Sequence, residues 1–246
     1  MDVMSLGLSP MKGTRHLAVP SLSLDRDGPV GDREFCLVDP ERRGVIRTVQ
    51  HPELVGADVS RLPEGLRVQV PGQSALTMGA AAPRGFLDVE YWGRRIRVEL
   101  LSDELSELFS AFLGRPVLFA RAQRGDVVYG DHITITASAS LAELGSDADH
   151  RRFRSAVHLR TDVPWAEEGW CGRTAQLGSA TVTLGGAVPR CAVIDVDPQT
   201  GERNGDLLRR LAGRGLAMHT GEPVFGAYAR VRRGGTVHLG SPFRLL

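Results

Sequence analysis

Val188-Pro189-Arg190-Cys191-Ala192-Val193-Ile194-Asp195-Val196-Asp197-Pro198-Gln199-Thr200-Gly201 places a cysteine between an arginine and an apolar run that ends in an Asp-Pro-Gln-Thr-Gly turn signal. The β-branched residues after the cysteine predict a strand over 191–196, with Cys191 at its head.

Outward from this stretch the chain reads as short strands. Asp2–Leu8, Glu34–Asp39, Val45–Thr48, Leu66–Val70, Phe86–Tyr91 and Arg95–Leu100 are alternating or β-branched and are separated by Gly, Pro and Asp. Ser102 then offers a cap to a helix carrying Leu105, Leu108, Phe109 and Phe112 on one face, with Gly114 as its stop. Ser138 or Ser140 can cap a second helix through Leu144, and Asp206 to Leu211 predict a third before Gly213. Strands return at Ala156–Leu159, Ala180–Leu184, Phe225–Val231 and Thr236–Leu239, with turn pairs at Gly185-Gly186, Asp197-Pro198 and Gly234-Gly235. The expected class is β-rich α+β, a barrel or sandwich with a few short helices. The expected division is an N-terminal β domain over residues 1–100 packed on a mixed domain over 101–246.

The 246 residues are 42% hydrophobic and 24% charged, the composition of a globular domain with a sizeable core. A net charge of +1, with both signs mixed along the chain, argues against nucleic acid or an acidic membrane as partner. No apolar run approaches a membrane span, and the first residues lack the features of an export signal, so a cytoplasmic location is expected. Three cysteines, Cys36, Cys171 and Cys191, are too few for a disulfide framework or an iron-sulfur cluster. The seven histidines show neither His-x-x-x-His nor company from Cys-x-x-Cys, and no Gly-x-x-x-x-Gly-Lys occurs, which argues against zinc and nucleotide sites. Of the 30 basic residues, Lys12 is the only lysine. A compact ammonium that is not exchanged for a guanidinium marks a candidate contact.

The string Arg190-Cys191 followed by Val196-Asp197-Pro198-Gln199-Thr200-Gly201 resembles the signature of the MOSC family, named after the C-terminus of molybdenum cofactor sulfurase. Further matches keep the family's order: Ser9-Pro10-Met11-Lys12-Gly13, Gly31-Asp32-Arg33 with Phe35 to Asp39, Ser138-Ala139-Ser140-Leu141, Arg152-Phe153-Arg154, Phe225-Gly226-Ala227-Tyr228, and Gly235-Thr236-Val237 to Gly240. The layout, with a β domain ahead of the MOSC domain, is similar to that of amidoxime-reducing components and bacterial relatives. The resemblance implies that Cys191 ligates the metal of a molybdenum-molybdopterin cofactor. It implies that Lys12, Arg33, Arg154 and Arg190 supply positive charge to it, and that Tyr228 serves the reacting centre. Structural alternatives stand beside each: an inert buried thiol at Cys191, surface ion pairs for Arg33 and Arg154, core packing for Tyr228. Cys36 and Cys171 read as inert. The chain departs from the family pattern at Gly13, Val49, Ser155-Ala156 and Val188-Pro189.

The expected function is a molybdenum-dependent oxidoreductase that reduces N-hydroxylated or S-oxidised small molecules. With no iron-sulfur centre of its own, it takes electrons from a separate protein. Two rivals are a non-catalytic carrier of cofactor or sulfur on Cys191 and a metal-free thiol enzyme, including a Cys-His hydrolase built from Cys191 and a distant histidine such as His219.

Overall fold

The computed structural model describes residues 1–80, 82–217 and 221–246. Its largest element is an eight-stranded sheet, in the order Phe243–Leu245, Thr174–Leu177, Ala180–Pro189, Val224–Arg233, Ile133–Ala137, Val157–Arg160, Asp2–Leu8 and Leu17–Ala18. Beside it five strands, Gly85–Tyr91, Arg94–Leu100, Leu118–Ala122, Phe35–Asp39 and Gly44–Val45, close into a barrel. Two three-stranded sheets complete the β structure, one of Gly235–His238, Ser21–Asp25 and Gly28–Pro29, the other of Asp58–Leu62, Gly65–Gln69 and Leu76–Gly79. The protein is therefore β-rich α+β, as its sequence predicts. Among the described residues no helix is long and apolar enough to cross a membrane.

Alternation sets the barrel. In Arg94–Leu100 the side chains of Ile96 and Val98 are buried and Arg95 and Arg97, which alternate with them, face outward, as a period of two requires. Phe35–Asp39 is buried at every residue because the barrel covers one face and neighbouring elements the other. The helix Asp103–Leu113 starts where expected. Ser102 Oγ accepts the Leu105 amide at 3.2 Å, and Gly114 ends the helix in the left-handed conformation at φ 63°. Two pairings run between distant parts of the chain. Asp2–Leu8 lies against Val157–Arg160 in the large sheet, and Leu118–Ala122 closes the barrel against both Arg94–Leu100 and Phe35–Asp39.

Four local expectations are corrected. Residues 191–196 form no strand: Cys191 is extended and Ala192–Asp195 is one tight helical turn, closed by the Ile194 amide on the Cys191 carbonyl at 3.2 Å. The strand lies before the cysteine instead, because Ala180–Pro189 runs through Gly185-Gly186, which is a register shift between Leu184 and Ala187 and not a turn. Val45–Thr48 contributes only Gly44–Val45 to a sheet. Neither Ser138 nor Ser140 caps the helix Ser138–Ala142. Ser140 Oγ donates to Glu167 Oε2 at 2.7 Å and Ser138 Oγ to the Thr161 carbonyl at 3.3 Å. The third helix, Leu207–Gly213, likewise takes its cap from afar, with Asp195 Oδ1 accepting the Leu208 amide at 3.0 Å.

Candidate functional site

Lys12, Arg33, Arg154, Arg190, Cys191 and Tyr228 all line one cavity of about 240 Å³. Main-chain hydrogen bonds fix the first three. Lys12 donates its amide to the Phe35 carbonyl at 2.8 Å, which seats it against the barrel, and the Arg33 amide donates to the Ser9 carbonyl at 2.7 Å. Ser9 is the knot of this corner, since its amide donates to Asp32 Oδ1 at 2.8 Å and its hydroxyl accepts from Arg154 Nη2 at 3.0 Å. Arg33 and Arg154 both take left-handed φ, 48° and 52°, a strained conformation for side chains of that size. Such strain gathers at functional sites. The Arg33 guanidinium is paired with the Asp32 carboxylate.

Arg190 plays a different part. Its Nε and Nη2 donate to the Phe225 carbonyl at 2.9 and 2.7 Å and its Nη1 to the Phe153 carbonyl at 2.9 Å. The buried guanidinium is thus a clamp that joins the strand Val224–Arg233 to the turn His150–Phe153, and it reaches the cavity as charge more than as a free donor. Directly after the clamp Cys191 is exposed, whereas Cys36 is buried and burial pushes its thiol up to about 12. Cys171 is exposed on another loop and does not line the cavity.

Positive charge dominates the lining. Six cationic side chains, the four expected ones with Arg47 and Arg152, face one carboxylate among the described residues, Glu222. Each cation pays for its neighbours. Burial, then Arg33 and Arg154, bring the Lys12 ammonium down to about 7, and the same causes hold His16 well below the usual histidine value. Burial and Arg33 lower Arg154 to about 9, which leaves it protonated at neutral pH. Arg154 Nη1, Arg152 Nη1 and the Tyr91 hydroxyl are buried without hydrogen-bond partners. Donors in that condition are rare in a finished core and common where a ligand completes the shell. Tyr228, pushed up to about 12 by burial, keeps its phenolic proton. It sits where Gly130 makes room, because a Cβ on Gly130 would lie 2.5 Å from Tyr228 Cζ.

Among the described residues no three His, Cys, Asp or Glu side chains gather to hold a bare metal ion. One exposed thiol among cations suits a soft metal that brings its other ligands within an anionic carrier. His219, the histidine named for a Cys-His pair, lies outside the described residues, and no other histidine lines the cavity.

Sequence reasoning named Arg152 only within a motif and missed Arg47, Tyr91, Trp92 and Tyr129, all of which also line the cavity. Trp92 carried a readable signal, a bulky aromatic before a glycine between two alternating runs. Arg47 and Tyr129 carried none, since both stand in loops that only the fold brings together. Of the departures from the resemblance, Val49, Val188 and Pro189 line the cavity, while Ala156 is buried in the core of the large sheet.

Comparison with known proteins bears on this cavity. A family model described as MOSC N-terminal beta barrel domain matches residues 1–116, and one described as MOSC domain matches residues 116–244. The mitochondrial amidoxime reducing component 2 of Bos taurus is 24% identical over 278 residues, covering 98% of this chain and 82% of its own. The mitochondrial amidoxime-reducing component 1 of Mus musculus is 24% identical over 281 residues, covering 99% and 82%. Among solved structures, the YUAD protein of Bacillus subtilis aligns over 98% of this chain and 93% of its own with a TM-score of 0.44 and 12% identity.

Proposed function

The chain belongs to the MOSC family, and from that premise we propose that its cavity holds a molybdenum-pterin cofactor with the Cys191 thiolate as protein ligand to the metal. The observation that carries the reading is the exposed sulfur set among cations, two of which, Arg152 and Arg154, have a buried donor without a partner. In this reading Lys12, Arg152 and Arg154 hold the phosphate of the pterin, and Arg33 and Arg190 add fixed positive charge behind them. When bound, the cofactor supplies a metal that changes its charge by two electrons as an oxygen atom is gained or lost. The chain's own residues orient the substrate, and Tyr228, a neutral phenol below about pH 12, donates a hydrogen bond to the substrate's oxygen.

The reaction proposed is reduction of N-hydroxylated small molecules, supported by the amidoxime-reducing names of the relatives. An amidoxime takes up two electrons and two protons and leaves as amidine and water. The electrons come from a separate reduced flavin or haem protein, because three cysteines build no electron wire here. The exposure of Cys191 also supports a second reading, a carrier that passes cofactor to another protein.

Protein from a host that makes the cofactor is expected to contain molybdenum and a fluorescent pterin in equal amounts. Cys191→Ala is expected to lose the metal and Cys171→Ala to keep it; equal loss in both variants would remove the assignment. Dithionite-reduced protein is expected to convert benzamidoxime to benzamidine. Ready exchange of the cofactor into an apo-enzyme, with no such conversion, would select the carrier instead.

A further inference from the structure

Trp92 and Gly93 form the two-residue turn between Gly85–Tyr91 and Arg94–Leu100, with Tyr91 paired to Arg94. Both take left-handed φ, 51° and 76°, the requirement of the tight hairpin turn for which Asn-Gly is the favoured pair. Tryptophan is a poor choice there, since its Cβ is strained at positive φ. Nor is the indole placed there to fill the core. Trp92 is 48% exposed and Tyr129 47% exposed, and their rings meet at 4.8 Å with a tilt of 51°. The Arg47 guanidinium lies 4.8 Å from the indole centroid. Val49, 46% exposed, is the fourth member of this rim, and all four line the cavity that contains Cys191. Exposed aromatic surface at a cavity mouth marks a contact for apolar ligand surface.

We propose that Trp92, Tyr129 and Arg47 form a substrate subsite that takes a flat aromatic ring of neutral or anionic character and rejects a cationic one. The proposal rests on the reading of the cavity as a reductase site and adds its substrate selectivity. Ring stacking on the indole and phenol binds the arene, and the guanidinium already seated on the indole repels a second cation. An amidoxime is uncharged at neutral pH and its amidine product is protonated, so the rim favours entry of the one and departure of the other. Strain at position 92 is then retained for binding at the expense of the turn.

Indole emission of cofactor-loaded protein, titrated with benzamidoxime, acetamidoxime and benzamidine, tests the subsite separately from turnover. Benzamidoxime is expected to quench saturably in the parent and to lose that quenching in Trp92→Asn, whose Trp165 and Trp170 remain. In the same variant the KM for benzamidoxime relative to acetamidoxime is expected to rise about tenfold, the size of one good aromatic contact. Trp92→Asn is also expected to melt a few degrees higher than the parent, because Asn-Gly relieves the turn. Saturable, Trp92-dependent quenching without any turnover would retain the subsite and remove the reductase reading. Equal quenching in parent and variant, equal affinity for benzamidine and benzamidoxime, or a lower melting temperature in Trp92→Asn would each overturn the proposal.

Discussion

Lys12 shows what one residue contributes. Its ammonium lies over the Tyr91 ring at 4.9 Å, and burial, then Arg33 and Arg154, lower it from 10.5 to about 7. The sign of the consequence follows from proton counting. Between those values the unfolded chain holds a proton that the folded chain has lost, so the group's penalty on stability grows as pH falls from 10.5 and is complete below about 7. Lys12→Met is therefore expected to raise the melting temperature of cofactor-free protein by a few degrees at pH 6 and by nothing above pH 11. Inorganic phosphate is expected to stabilise the parent at pH 6 and less at pH 9, where Lys12 is neutral, and to stabilise Lys12→Met weakly at both. Differential scanning calorimetry at the two pH values reads all four states, and a phosphate effect that ignores position 12 would contradict the assignment. The lone lysine among 29 arginines was readable in the sequence, but its neighbours were not.

At the scale of elements, the site is made by ends and irregularities and not by regular strands. The strand Ala180–Pro189 bulges at Gly185-Gly186 and stops at Pro189, and Arg190 then ties the chain to two main-chain carbonyls so that Cys191 emerges into the cavity. Across from it the loop before Ile133–Ala137 passes so close to Tyr228 that only a residue without Cβ fits at Gly130, where φ is 72°. Gly130→Ala is expected to destabilise the fold by about 1–3 kcal/mol through φ strain and the clash. It is also expected to turn the Tyr228 ring and lower the proposed amidoxime reduction at least tenfold, an effect on kcat beyond what the stability loss explains. Steady-state rates measured well below the melting temperature check this; an unchanged kcat would show that the ring position is immaterial. The helix Asp103–Leu113 makes the contrast. It was legible from cap to stop because every signal that fixes it is local.

Across the whole molecule, the closing turn of the decisive motif is what joins distant parts of the chain. Asp197 Oδ1 accepts the amides of Gln199 and Thr200 at 2.8 and 3.0 Å, and Arg15 donates to the Gln199 carbonyl at 2.6 Å and to the Gly56 carbonyl at 3.1 Å. Arg15→Ala is expected to lower stability by about 1–2 kcal/mol and to speed hydrogen exchange at 199–201 more than in the barrel strands. Uniform exchange across the chain would show that the turn is held by other means. The sequence by itself determined the class and the caps of one helix, because alternation and capping chemistry act over a few neighbours, and it named the cysteine and four of the six cations that line the cavity. Only the tertiary structure decided that 191–196 turns instead of extending, that Arg190 is a clamp, and that Arg47, Trp92 and Tyr129 share one rim. Those outcomes depend on hydrogen bonds and ring contacts between segments far apart in the chain, for which no local pattern exists to be read.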